Sequence, residues 1–309
     1  MLLAGGNPYA HTLVSTIPPG SPIGYGPGEL LSYLPAHVLL GDIGRVETWA
    51  GIVTVALLAL VGCRVGFERA ALPAMLYATW GIAAFRTTDG GNNVAAAVPV
   101  VGALVAITFA GVPGRAERIA FYASAVLLGW GLAFKQFAVI VVPFVFRHLA
   151  VERASWRRYA GCALTVTALF DLPFFLWDPR AFVTKHLILA LTNHQETWGA
   201  NLLHLLVRLD PAGERLVGLF FLLEVVLTLG ALALLLRWRI PTLGAAAIAA
   251  GGLIAVPLLL ARWTTQSYYV YAATIALVGL ALVDHVARAP AGRPPPVPAG
   301  RRAQEPLRP

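Results

Sequence analysis

Asp89 stands alone as an acid in the stretch 86–93, RTTDGGNN, among threonines, glycines and asparagines. A carboxylate so placed at a membrane surface can hold a metal ion or a sugar hydroxyl. The same residues also make a tight polar turn. Lys135 sits in FKQF between two long apolar runs. A charge there is costly and commonly faces a cavity or a partner, which suits a cation for a phosphate. Snorkelling to the interface from a helix end is the other account. The ten residues 192–201 gather Asn193, His194, Gln195, Glu196, Trp198 and Asn201. Amides beside an aromatic ring can grip a sugar through its hydroxyls and its apolar face. His194 or Glu196 could then serve as general base, or the stretch is a polar loop with an interfacial tryptophan. Arg262 and Gln266, in RWTTQSYY, add a phosphate and a sugar contact. Tyr9, Tyr25, Asn93 and Gln136 complete the candidates for sugar or acceptor binding.

The elements that must position these residues are membrane helices. Hydrophobic residues make up 58% of the 309 and charged residues 12%, about half the charge of an ordinary soluble domain. Apolar runs at about 49–63, 71–85, 94–112, 119–133, 137–147, 159–177, 216–236, 241–261 and 267–284 predict an all-α polytopic bundle. About nine transmembrane helices are expected, within a range of eight to ten, as about 20 residues span a bilayer. They form one domain over residues 1–286, with a basic, Pro-rich, disordered tail at 287–309. Residues 1–47 are expected to be an outer loop with an interfacial helix, and 178–215 a long outer loop of short helices lying on the bilayer. The run 119–147 is expected to be two short helices folded at Lys135-Gln136; one long helix would invert everything before it.

The formal charge of +8 is an orientation signal, not a nucleic-acid one. With residues before 48 outside, fifteen of the twenty-three Lys and Arg fall in inner loops and the tail, as the positive-inside rule requires. The C-terminus is then cytoplasmic, and the polar stretches collect on the extracytoplasmic face of the plasma membrane. Cys63 and Cys162 lie inside apolar runs and read as small core residues. Glu224 is expected to pair within the bundle, and Asp171 to satisfy backbone freed by Pro173. No histidine pair has a metal-motif spacing.

The segment 5–35 is rich in Gly, Pro and Tyr with Glu29 as its only charge. It is too rich in proline to span and too poor in charge for a loop in water. It reads as an ordered outer loop that shapes a site where lipid meets water, or as an irregular head on the bilayer. The opening Met1-Leu2-Leu3-Ala4 has no basic n-region. A first transmembrane helix is expected upstream, testable by the intact mass of the native protein.

The order of an NPY-containing loop, YGPGELLSYLP, TTDGGNN, FKQFAVIVVPF and a long outer loop bearing NHQETWG resembles the GT-C type of integral membrane glycosyltransferases. Within that type it resembles the polyprenol-phosphate-dependent mannosyltransferase-like group. The resemblance covers about residues 5–285. It implies transfer of a sugar, mannose or another hexose or pentose, from a polyprenyl phosphate to a lipid-linked or cell-envelope acceptor. Nucleic acid has no part in it. The family's first essential acid would lie before Met1; Asp89 matches a second acidic position, and Lys135 a family lysine. No cofactor is implied with certainty; a divalent cation at the acid is the one left open. The rival readings are a multi-pass transporter or flippase, which predicts internal repeats and broken helices, and a non-catalytic envelope scaffold.

Overall fold

A computed structural model describes residues 2–13, 21–22, 24–42, 44–86, 92–110, 114–151, 155–188, 197–238, 240 and 242–283. The architecture is an all-helical membrane bundle. Its helices are α1 (Pro27–Leu40), α2 (Gly44–Val65), α3 (Phe67–Thr79), α4 (Gly81–Arg86), α5 (Asn93–Phe109), α6 (Arg115–Phe134), α7 (Val142–Val151), α8 (Trp156–Trp177), α9 (Pro179–Phe182), α10 (Leu202–Leu209), α11 (Val217–Arg237), α12 (Leu243–Leu260) and α13 (Gln266–Leu282). Two pairs of two-residue strands join distant segments: β1 (Thr12–Leu13) with β2 (Ser21–Pro22), antiparallel, and β3 (Trp198–Gly199) with β4 (Trp263–Thr264), parallel.

Four described segments are long and apolar enough to cross a membrane: Gly44–Val65, Trp156–Trp177, Pro211–Arg237 and Leu243–Leu260. Asn93–Phe109, Gln136–Ala150 and Gln266–Leu282 are apolar but shorter. The run 71–85 is not one helix, because the chain breaks at Trp80 between α3 and α4.

α5 lies at the centre, with Val94, Ala96, Ala97, Val100, Val101 and Leu104 among its buried residues. A helix apolar on all sides belongs inside a bundle. Small residues let the helices around it close up. A Cβ on Gly279 of α13 would lie 2.6 Å from the Gly244 carbonyl oxygen of α12, and one on Gly129 of α6 would lie 2.3 Å from the Ala163 carbonyl oxygen of α8. α11 is the opposite case, burying only Phe220. Glu224 therefore finds no hydrogen-bond or ion-pair partner among the described residues, contrary to the expected pairing: its helix stands at the rim. Cys63 and Cys162 are both free thiols: Cys162 is half-buried and packs against the core, whereas Cys63 is exposed and is not the core residue expected. Asp171 does not satisfy freed backbone; its Oδ1 is buried without a partner among the described residues.

The path of 119–147 is a hairpin. Lys135 is extended (φ −150°, ψ 134°) and ends α6, and a 3-10 turn over Gln136–Ile140 then leads into α7. Phe146 of α7 packs on Tyr159 at 6.3 Å, and Tyr159 packs on Phe121 of α6 at 5.4 Å. The chain has thus come back to the level of the first half of α6, with Tyr159 of α8 between them. Lys135 is left at the tip, at one end of the bundle.

Candidate functional site

The tip is walled by the Gly-Pro segment that precedes α1. The Gly26 N–H donates to the Phe134 carbonyl at 3.2 Å. A Cβ on Gly26 would sit 1.9 Å from the Ala133 carbonyl oxygen, and one on Gly28 would sit 2.8 Å from the Ala133 carbonyl carbon. Only glycine lets this backbone press on the end of α6, where free carbonyls need donors. Tyr9 anchors the wall from behind. Its ring packs on Phe174 and Phe182 at 5.9 and 5.3 Å, and its hydroxyl donates to the Tyr25 carbonyl at 2.7 Å. The opening segment, where described, is therefore ordered and built against the tip.

Lys135 is 2% exposed. Its ammonium donates to Asn92 Oδ1 at 3.0 Å and to Asn93 Oδ1. It lies 4.6 Å from the ring centre of Tyr25, 4.5 Å from Tyr268 and 5.7 Å from Phe137. Amide oxygens and aromatic faces are what an ammonium withdrawn from water needs. The snorkelling account therefore fails, since the side chain is enclosed. Asn93 also donates to Ser267 Oγ at 2.7 Å, and Tyr25 and Tyr268 share a hydroxyl contact of 3.1 Å. One lysine thus ties together the opening loop, the start of α5, the end of α6 and the start of α13.

Two carboxylates stand in the same network. Glu47, fully buried in the first turn of α2, accepts from the Val94 N–H at 3.1 Å, the Ala95 N–H at 3.2 Å and the Tyr33 hydroxyl. It caps α5, where the helix dipole favours a negative group. Glu29 accepts from Asn92 Nδ2 at 3.0 Å through Oε1, while its Oε2 is buried without a partner among the described residues. Burial raises the Glu29 carboxyl above its ordinary range, with Lys135 and Asn92 opposing. Burial lowers Lys135, with Glu29 and Glu47 opposing.

Gln136 holds the chain at Gly24 and His186 to the tip. Its amide donates to the carbonyls of Gly24 and His186 at 2.9 and 2.8 Å. His186 is buried against Phe182, and burial depresses it to about 4.

A second cluster lies at the β3–β4 pair. The register sets Trp198 opposite Trp263, with ring centres 4.9 Å apart. Trp198 is 49% exposed. Arg262 Nη2 lies 3.7 Å from Glu214, and its Nε is buried without a partner among the described residues. Gln266 is exposed at the start of α13.

Of the residues singled out by sequence, Lys135, Asn93, Gln136, Tyr25 and Tyr9 come together at the tip, the last fully buried. Trp198 and Arg262 meet in the second cluster. Asp89, Asn193, His194, Gln195 and Glu196 lie outside the described residues, as does the expected tail at 287–309. Sequence reasoning missed Glu29, Glu47, Asn92 and Ser267 as site residues. Glu29 had a signal, as the lone charge of an apolar segment. Glu47 had a weaker one, as an acid one turn ahead of an apolar run. Among the described residues, no three His, Cys, Asp or Glu side chains form a metal-binding group.

No protein-family model matches the chain, and no curated protein matches it in sequence. Solved structures of ArnT from Cupriavidus metallidurans do match in fold. The apo structure has a TM-score of 0.56 at 14% identity, over 85% of this chain and 50% of that one. The structure bound to undecaprenyl phosphate has a TM-score of 0.55 at 15% identity, over 92% and 53%. The fold is therefore the helical membrane GT-C fold. The likeness does not extend to the mannosyltransferase-like group within it. The chain spans about half the length of the ArnT chains it matches.

Proposed function

We propose that the chain is a membrane glycosyltransferase that uses a polyprenyl-phosphate sugar as donor and works at the Lys135 end of the bundle. The observation that carries this reading is a cation enclosed with two carboxylates at one end of a bundle whose fold is shared by a chain solved with undecaprenyl phosphate bound. The arginine distribution supports an extracytoplasmic position for this end, at the plasma membrane. Mannose or another hexose or pentose is the sugar, and a lipid-linked or cell-envelope molecule the acceptor. The donor's lipid tail runs between helices, and its phosphate seats against Lys135, with Arg262 as the second cation. Since Lys135 is 2% exposed, seating the phosphate requires a ring, Tyr25 or Tyr268, to swing aside. An oxygen atom of the phosphate then replaces the Asn93 amide oxygen at the ammonium and is stabilised as the bond to the sugar breaks. Gln136, Asn93 and Trp198 are the sugar or acceptor contacts. Asp89, His194 and Glu196 are the acid–base candidates from sequence, and no step here is assigned to a metal.

The test is transfer by the purified full chain in proteoliposomes. Decaprenyl-phosphate mannose and decaprenyl-phosphate arabinose, each radiolabelled, serve as donors, with an envelope lipid extract as acceptor. Chain-dependent label in the acceptor, lost in Lys135→Met, is the expected result. Label that crosses the bilayer with its donor bond intact would make the chain a flippase and overturn the reading.

A further inference from the structure

We infer that Glu29 is the proton acceptor of the transfer and works as a pair with Lys135, an inference that rests on the glycosyltransferase reading. Two carboxylates share the network at the tip, and their bonding separates their roles. Glu47 is saturated by the N–H groups of Val94 and Ala95 and by the Tyr33 hydroxyl, so it holds α5 in place. Glu29 uses one oxygen only, accepting from Asn92 Nδ2 at 3.0 Å, and Oε2 is buried with no partner among the described residues. A buried carboxylate oxygen left so is costly unless a ligand supplies the missing hydrogen bond.

The same Asn92 amide accepts from Lys135 Nζ at 3.0 Å. One planar side chain therefore spans the carboxylate and the ammonium. The two charges feel each other without forming a direct salt bridge, which would occupy Oε2. The placement is also stiff. Gly26 and Gly28, on either side of Pro27 at the start of α1, press on Ala133 and leave no room for a Cβ. Catalytic groups are effective when the scaffold fixes them in this way.

The step balances as follows. The acceptor hydroxyl oxygen bonds to the anomeric carbon, and the bond from that carbon to the phosphate oxygen breaks. Its electron pair leaves with the polyprenyl phosphate, which gains one negative charge. The hydroxyl proton passes to Glu29 Oε2. Before transfer, Glu29 and Lys135 cancel; afterwards Glu29 is neutral, and the charge of Lys135 answers the new charge on the phosphate. Taking the proton and stabilising the leaving group are thus one redistribution of charge across Asn92.

The titratable groups that act on Glu29 are Lys135 and Glu47, and Glu29 in turn acts on the phenols of Tyr9, Tyr25, Tyr33 and Tyr268. Burial holds Glu29 above the ordinary carboxylate range. A base must be unprotonated to act, so the rate falls as pH drops through that raised value.

The experiment uses the proteoliposome assay with the two labelled donors, together with binding of undecaprenyl phosphate alone. Glu29→Gln keeps an acceptor for Asn92 but cannot take a proton. It is expected to lower kcat by about 10²–10⁴, abolish the acid limb and leave undecaprenyl phosphate affinity undiminished. Glu29→Asp is expected to retain an acid limb, moved to a different pH, at reduced kcat. Transfer by Glu29→Gln within about tenfold of the unaltered protein would overturn the inference, since general-base catalysis contributes more than that. So would loss of kcat and of phosphate affinity together, the signature of a structural role. If Glu29→Gln fails to fold, the acid limb decides: a limb that moves in Glu29→Asp supports the assignment, and an unmoved limb overturns it. No transfer by the unaltered protein from either donor would instead overturn the glycosyltransferase reading.

Discussion

Lys135 and Asn93 show how closely the tip is balanced. The ammonium has given up water for two amide oxygens and three ring faces, and Asn93 serves it while also donating to Ser267. Asn93→Leu keeps the shape but takes one hydrogen bond from each partner, leaving Lys135 to Asn92 and Ser267 to Thr265. A lost neutral hydrogen bond costs about 0.5–1.5 kcal/mol, and one to a charged group about 1.5–3 kcal/mol. Thermal unfolding in detergent should show a fall of several degrees and no rescue by salt. Gly26 makes a steric prediction. Its added Cβ would lie 1.9 Å from the Ala133 carbonyl oxygen, so Gly26→Ala must displace α1 from α6 and with it Glu29 from Asn92. Transfer should drop sharply. Gly218→Ala, with nothing within 4 Å of the new Cβ, should be neutral or stabilising by up to about 1 kcal/mol on helix propensity.

At the scale of the element, the break at Lys135 and the small-residue seams do the positioning. α6 ends where an extended residue turns the chain back along α7, so the polar tip is made from a helix end whose carbonyls the Gly-Pro segment then meets. α12 and α13 approach through Gly244 and Gly279. A valine at 279 has to push the two helices apart, whereas Gly230 on α11 faces open space. Gly279→Val should therefore lower the unfolding temperature by several degrees and weaken transfer, because α13 carries Ser267 and Tyr268. Gly230→Val should do neither.

For the whole molecule, pH acts on the join between the His186 segment and the tip. His186 is buried against Phe182 and held by Gln136, and burial depresses it from 6.5 to about 4. Between those values the unfolded chain takes a proton that the folded one refuses. This stability is present above about pH 6.5 and is lost as pH falls towards 4, to a total of about 3 kcal/mol. Glu29 works in the opposite sense: its raised carboxyl favours folding at low pH, and that contribution fades as pH rises through the raised value. The histidine part is isolated by difference. Unfolding temperature should fall more steeply from pH 7 to pH 5 in the unaltered protein than in His186→Asn.

The helix runs, the short helix at Pro27–Leu40 and the fold at Lys135-Gln136 were legible in the linear chain, because apolar length and proline content are local properties that the bilayer reads directly. Lys135, Asn93, Gln136 and Tyr25 could also be picked out, since polar residues between apolar runs must be satisfied by something. What satisfies them was not legible. Asn92 lies 43 residues from Lys135 and 63 from Glu29, and no periodicity encodes such a meeting. The edge position of α11, which strands Glu224, was hidden for the same reason, as an apolar helix at the rim and one in the centre have the same composition. The sequence determined most of the segments that form apolar helices, though not the break at Trp80. Only the tertiary structure decided which of the two glutamates is saturated as a helix cap and which keeps an oxygen without a partner among the described residues, because that depends on the donors that packing brings to each.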